Sequence, residues 1–140
     1  PASEIPTEAD QRNGGRKIRV LLADDHAVVR HGLTHLLRNE PDIEVISEAS
    51  DGEQALTLAR ELLPDVVLMD VSMPNMNGIE ATRMLSSELP EVKVVGLSMF
   101  DEAERAAQMR AAGAVSYISK SAESGEVVKA IRGAAHQASH

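Results

Sequence analysis

From Lys17 onward, short aliphatic runs alternate with stretches of helical spacing. The first run, Ile18 to Ala23, precedes a predicted helix over Ala27 to Asn39 that Pro41 stops. The second, Ile43 to Ser47, leads to a helix over Gly52 to Leu62, ended by Pro64. The third, Val66 to Asp70, leads to Gly78 to Glu88, ended by Pro90. The fourth, Val92 to Leu97, precedes Glu102 to Ala112, with Gly113 placed to take the left-handed conformation past the helix end. The fifth, Val115 to Ser119, precedes a helix from Ser124 to about Ala134.

Five strand-then-helix units imply right-handed crossovers and a parallel sheet covered on both faces. The first, third and fourth runs are continuously aliphatic, as strands buried on both sides are. An eight-fold barrel needs about 250 residues, so the expected class is α/β: a flavodoxin-like, doubly wound, five-stranded parallel sheet of order 2-1-3-4-5 with five helices. Residues 1–16 lack periodicity and are rich in Pro, Glu, Asn and Gly, which predicts a flexible leader. One domain is expected over 17–136, followed by a short tail over 137–140.

Composition narrows the class further. The chain of 140 residues is 43% apolar, enough for one real core, and with one Phe, one Tyr and no Trp that core must be aliphatic. A net charge of −8 argues against non-specific nucleic-acid binding by this segment. Absence of Cys excludes disulfides, thiol catalysis and thiolate metal sites, and suits a reducing cytoplasm. No apolar run approaches the roughly 18 residues of a membrane span, and no secretory h-region is visible, so no membrane partner is expected.

The polar residues that end the runs carry the chemistry. Val20-Leu21-Leu22-Ala23 enters Asp24-Asp25, Val66-Val67-Leu68-Met69 enters Asp70, Val94-Val95-Gly96-Leu97 enters Ser98, and Tyr117-Ile118-Ser119 enters Lys120. In a parallel sheet these groups emerge at the carboxyl edge, where open α/β sheets place their sites. One Asp after a strand is an ordinary helix cap, but three in one crevice repel one another unless a cation is present. A hard divalent ion such as Mg²⁺ with oxygen ligands resolves that conflict. A carboxylate can attack phosphorus to form an aspartyl-phosphate, and Lys120 and Ser98 then supply charge and a hydroxyl donor to the phosphoryl oxygens.

These segments closely resemble the receiver domain of two-component response regulators over essentially Lys17 to Ala134. The matching stretches are Val20 through Asp24-Asp25-His26, Asp70-Val71-Ser72-Met73-Pro74 through Gly78, Leu97-Ser98-Met99, and Gly113 through Tyr117-Ile118-Ser119-Lys120-Ser121-Ala122. The resemblance implies that Asp70 is the phosphoacceptor, taking phosphate from a sensor histidine kinase. It implies that Asp25, Asp70 and the Ser72 backbone carbonyl hold Mg²⁺ (or Mn²⁺), with Asp24 acting through a bound water. Ser98 would hydrogen-bond the phosphoryl group, Lys120 would pair with it, and Tyr117 would be the aromatic switch that turns inward as Ser98 moves. Asp24-Asp25-His26 and Lys120-Ser121-Ala122 are further similar to receivers of LuxR-type transcription factors. Such a regulator reaches DNA through an output domain absent from these residues, so the chain is read as a truncated regulator or a stand-alone receiver, with homodimerisation on phosphorylation. Many receivers have Lys-Pro with a cis bond where this chain has Lys120-Ser121. Met99 is bulkier than the small residue often found there, and is expected to shield the phosphoryl group.

Other classes fit less well. An aspartyl-phosphate hydrolase typically carries a second Asp two residues after the nucleophile, and here that residue is Ser72. No G-x-G-x-x-G or G-x-x-x-x-G-K-[ST] loop cradles a nucleotide. An inactive receiver-like domain would not need all five site residues. The protein is thus expected to be a signalling module, not an enzyme, promoting only its own phosphorylation and dephosphorylation. His31 and His35, four apart, lack the Glu of a zinc helix motif and are expected at the surface. His26 is expected near the site in a positional role. The methionines are read as gap-fillers or loop residues, and Arg12, Arg16, Lys17 and Arg19 as a solvated basic patch.

Overall fold

The computed structural model describes residues 17–98, 103–120 and 123–137. Among them the elements run β1 (Ile18–Ala23), α1 (Ala27–Arg38), β2 (Ile43–Ala49), α2 (Gly52–Leu62), β3 (Val66–Asp70), α3 (Gly78–Glu88), β4 (Lys93–Ser98), α4 (Ala103–Ala112), β5 (Ser116–Ser119) and α5 (Ser124–Ala135). All strand pairs are parallel and the sheet order is β2-β1-β3-β4-β5. The expected class and order therefore hold. The leader, the start of the fourth helix at Glu102, Met99, the Lys120-Ser121 bond and the last three residues of the tail lie outside the described residues.

Side chains alternate across the sheet and divide the core into two layers. Leu21, Ala23, Val67, Met69 and Val94 pack under α2, α3 and α4, against Ala55, Leu56, Ala81, Leu85 and Met109. Ile18, Val20, Leu22, Val66, Leu68, Val95 and Leu97 pack on the other face, against Leu37 of α1 and Val127, Val128 and Ile131 of α5. Both layers are aliphatic. Every side chain of β3 is buried, as its unbroken apolar run required.

Element ends differ from expectation by a residue or two. β4 spans Lys93–Ser98 rather than 92–97, and β5 begins at Ser116 rather than Val115. β2 runs to Ala49, two residues past Ser47. Its apolar run stops early because of a register shift against β1: Val20 pairs with Val45, but Leu21 pairs with Ser47. Ile46 is thus an extra residue, a bulge on the edge strand. Beyond it Ala49 joins the α2 side of the core and Glu48, opposite Leu22, falls on the α1 side.

α1 ends at Arg38, one residue before the expected end, where the Asn39 N–H donates to the Leu36 carbonyl at 3.3 Å and the Glu40 N–H to the Leu37 carbonyl at 3.0 Å. Gly113 takes φ +121°, the left-handed region that its place after α4 called for. The far end of the sheet is tied by Arg132 of α5, whose Nε and Nη2 donate to the two carboxylate oxygens of Asp42 at 2.8 Å each. The same Nη2 donates to Glu40 Oε1 at 2.8 Å, which holds the last helix to the α1–β2 loop.

Candidate functional site

β1 and β3 are neighbours, so Ala23 pairs with Met69 and the residues that follow, Asp24 and Asp70, meet at the carboxyl edge. β4 lies on the other side of β3, with Asp70 opposite Leu97, and Ser98 pairs with Ser119 of β5. Lys120, Asp24 and Asp70 are thereby drawn into one cluster from three strand ends. Lys120 Nζ lies 2.8 Å from Asp24 Oδ2 and 3.1 Å from Asp70 Oδ2. All three side chains are at least nine-tenths buried. These contacts are ion pairs, and Lys120 apart, both buried Oδ2 atoms have no partner among the described residues.

The turn after β1 is built by Asp24. Its N–H donates to the Ala49 carbonyl at 3.0 Å, and its Oδ1 accepts the His26 N–H at 2.8 Å. Its own carbonyl accepts from Arg30 Nη1 at 2.6 Å. Asp25, the next residue, is more exposed. His26 Nδ1 lies between the two carboxylates, 3.2 Å from Asp24 Oδ1 and 3.1 Å from Asp25 Oδ1, and 3.4 Å from Lys120 Nζ. Its expected place beside the site is therefore observed.

The loop after β3 is held from two sides. The Ser72 N–H points at Asp70 Oδ1 at 3.3 Å, and Ser72 Oγ accepts from Arg105 Nη1 of α4 at 3.0 Å. Asn75, at φ +67°, donates through Nδ2 to Asp51 Oδ2 at 2.8 Å, and the Gly52 N–H donates to the Met76 carbonyl at 3.0 Å. Gly78 is required by a close approach: a Cβ there would collide with the Asp70 carbonyl oxygen, and its N–H donates to the Val71 carbonyl at 2.9 Å.

Ser98 is buried at the end of β4, where its carbonyl accepts the Lys120 N–H at 2.6 Å. Tyr117, on β5, packs its ring over Gly96, where a Cβ would stand 2.7 Å from Tyr117 Cδ1. The Tyr117 hydroxyl is buried and has no hydrogen-bond partner among the described residues. The half-buried ring thus lies against β4.

Burial and the Asp24 charge push the Asp70 carboxyl up to about 6, against the opposing pull of Lys120 and the Ser72 N–H. A carboxylate held at such a cost is poised for a cation. One ligand atom each from Asp24, Asp25, His26 and Asp70 falls within 4.8 Å of the others. With the two buried Oδ2 atoms, this oxygen-rich set fits a hard divalent ion. His31 and His35 are both exposed, and the described part of the basic patch, Lys17 and Arg19, makes no contact with the site.

Arg30 and Arg105 went unnoticed in the sequence. Arg105 is 33 residues from Ser72, and no local pattern reports a contact across that separation.

A family model for the response regulator receiver domain matches residues 20–132. The chain belongs to that family. Transcriptional regulatory protein LiaR of Bacillus subtilis is 49% identical over 117 residues, covering 84% of this chain and 56% of LiaR. Response regulator GacA of Pseudomonas aeruginosa is 46% identical over 115 residues, covering 82% of this chain and 54% of GacA. The chain therefore spans about half the length of the curated relatives it matches. Among solved structures, the receiver domain of the putative response regulator NarL from Mycobacterium tuberculosis superposes with a TM-score of 0.84 at 33% identity, covering 88% of this chain and 99% of that one. A LuxR-family response regulator from Aurantimonas sp. SI85-9A1 gives 0.81 at 35% identity, covering 85% of each chain.

Proposed function

We propose that this receiver is an active phosphoacceptor and that Asp70 carries the phosphoryl group. The observation that carries the reading is the buried Asp70 carboxylate, pressed against Asp24 and faced by Lys120, within reach of the other acidic ligands. An Asp70 oxygen forms a bond to phosphorus as the N–P bond of a sensor histidine kinase's phosphohistidine breaks, leaving neutral imidazole once a proton is taken up. Lys120 then pairs with the phosphoryl oxygens and the Ser98 hydroxyl donates to one of them. Asp25, Asp70 and the Ser72 carbonyl would hold Mg²⁺ or Mn²⁺, with Asp24 acting through water. When bound, the ion offsets the carboxylates and the developing phosphoryl charge. The domain promotes only its own phosphorylation and dephosphorylation.

Phosphorylation changes the surface formed by α4, β5 and α5, with Ser98 and Tyr117 as the moving pair, and so controls homodimerisation or an output domain. In the full-length protein that output is DNA-binding transcription control in the cytoplasm, as the LuxR-type likeness suggests. Residues 17–136 form this unit, with 1–16 as a leader and 137–140 as a tail. No helix among the described residues is long and apolar enough to cross a membrane.

The test is intact mass after incubation with acetyl phosphate and Mg²⁺. One added phosphate on the wild type, labile to hydroxylamine and absent from Asp70→Asn, is expected. An adduct that persists in Asp70→Asn overturns the assignment.

A further inference from the structure

The β1–α1 turn puts an imidazole where the helix gains nothing from it. His26 is the N-cap of α1, a position that favours Ser, Thr, Asp or Asn, whose short side-chain oxygen accepts from the first turn. The His26 ring makes no such cap. It turns instead to the acidic cluster, where Nδ1 stands 3.2 Å from Asp24 Oδ1 and 3.1 Å from Asp25 Oδ1. The backbone supports that placement, because the His26 N–H donates to the same Asp24 Oδ1 at 2.8 Å. Lys120 takes the opposite oxygens, Asp24 Oδ2 and Asp70 Oδ2, and its Nζ lies 3.4 Å from the ring nitrogen. Three ionised carboxylates and one ammonium leave the cluster with two negative charges, which one divalent ion balances.

We propose that His26 Nδ1 is itself a ligand of the cation site, and that this nitrogen raises the site's affinity for Ni²⁺ and Zn²⁺ while leaving that for Mg²⁺ unchanged. The proposal rests on reading the acidic cluster as the cation site. One ligand atom of His26 already lies within 4.8 Å of one each from Asp24, Asp25 and Asp70. Two ligands on opposite sides of an ion, each with a bond of about 2.1 Å, stand about 4.2 Å apart. A modest closure therefore brings all four onto one ion. Coordination uses the neutral ring: the Nδ1 lone pair faces the ion, and the proton sits on Nε2 of a side chain that is 53% exposed. Carboxylate, carbonyl and water oxygens suit Mg²⁺ and Mn²⁺, whereas imidazole suits Ni²⁺, Cu²⁺ and Zn²⁺. Mg²⁺ gives up its waters reluctantly, so it gains little from the nitrogen.

His31 and His35, exposed and four residues apart on α1, offer ions a competing surface pair, so both are replaced by Gln in the parent protein for the test. Calorimetric titrations with Ni²⁺ and with Mg²⁺ compare that parent with versions adding His26→Asn or Asp25→Asn. Asn is a good N-cap, so His26→Asn keeps the helix start, and urea midpoints check the fold of each variant. His26→Asn is expected to weaken Ni²⁺ binding at least about ten-fold, the lower end of what losing an outer-shell partner costs, with Mg²⁺ changed by less than about two-fold. Asp25→Asn should weaken both ions, which places the Ni²⁺ in the acidic cluster. Saturating Zn²⁺ should shift the His26 Nδ1 resonance in a long-range ¹H–¹⁵N spectrum of the parent. Ni²⁺ affinity unchanged by His26→Asn, an equal fall for both ions, Ni²⁺ binding indifferent to Asp25→Asn, or an unmoved Nδ1 resonance overturns the inference. No Mg²⁺ binding by the parent, with His26-dependent Ni²⁺ binding intact, would instead overturn the Mg²⁺ reading and leave this one standing.

Discussion

Replacing Asp70 by Asn should make the metal-free protein more stable, although it removes the proposed centre of its function. In the unfolded chain this carboxyl titrates near 3.8, and in the fold it is pushed up to about 6 by burial and by Asp24. Between those values the folded form keeps a proton that the unfolded form has released. Stability therefore falls as pH rises through that window, and above it the ionised group costs the fold a constant amount. Each pH unit is worth about 1.4 kcal/mol, so the full cost at pH 7.5 is about 3 kcal/mol. An amide in the same place carries no charge but leaves part of its hydrogen-bonding capacity unmet, at about 1 kcal/mol. The net gain is then about 2 kcal/mol. Urea melts in EDTA at pH 7.5 would show it as a midpoint raised by about 1 M for a slope near 2 kcal/mol/M. At pH 4 the two proteins should differ little, because Asp70 is protonated in the fold and still about 40% protonated in the unfolded chain, so most of the penalty is gone. Saturating Mg²⁺ should narrow the pH 7.5 gap, since it binds the folded wild type and stabilises it by mass action. A variant no more stable than wild type at pH 7.5 in EDTA, or equally advantaged at pH 4, would refute the reasoning.

Two further outcomes test the same cluster. Lys120→Met leaves two buried carboxylates without their shared cation, and should cost about 3–5 kcal/mol at pH 7.5 in EDTA. That loss should shrink toward pH 5 as Asp70 takes up its proton, and Mg²⁺ should restore part of it, both read by urea melts. Gly78→Ala drives a methyl group into the Asp70 carbonyl and should cost about 1–3 kcal/mol. Because the carbonyl belongs to the proposed phosphoacceptor, phosphorylation should slow as well, as intact mass after timed incubation would report.

The sequence carried the architecture well because the strands that matter most are the least ambiguous. β1 from Val20, β3 up to Met69 and β4 from Val94 to Leu97 are unbroken apolar runs, and buried parallel strands leave no alternating pattern to misread. Parallel topology then delivers Asp24, Asp70, Ser98 and Lys120 to one edge without any knowledge of side-chain geometry. Strand ends were harder, since they depend on which backbone groups pair and not on hydrophobicity. The Ile46 bulge hid the last two residues of β2, because Glu48 after Ser47 ends the apolar run. The arginines were invisible for a different reason. Arg30 and Arg105 act through contacts set by tertiary approach, Arg30 with Glu48 and Arg105 with Ser72, and composition holds no trace of either.

That single-residue slip in β2 sets the phase of everything beyond it. An unfaulted strand would carry Glu48 on the face of α2, among Ala55, Leu56 and Ala59, where a carboxylate finds no partner. The slip turns it beneath α1 instead, where it accepts from Arg30 Nε at 3.1 Å and from Thr34 Oγ1 at 3.4 Å. Arg30, steadied by that carboxylate, donates through Nη1 to the carbonyl of Asp24. An edge strand that supplies no residue to the acidic cluster thus fixes the pitch of the turn that does, as a tuning peg acts on a string from outside its sounding length.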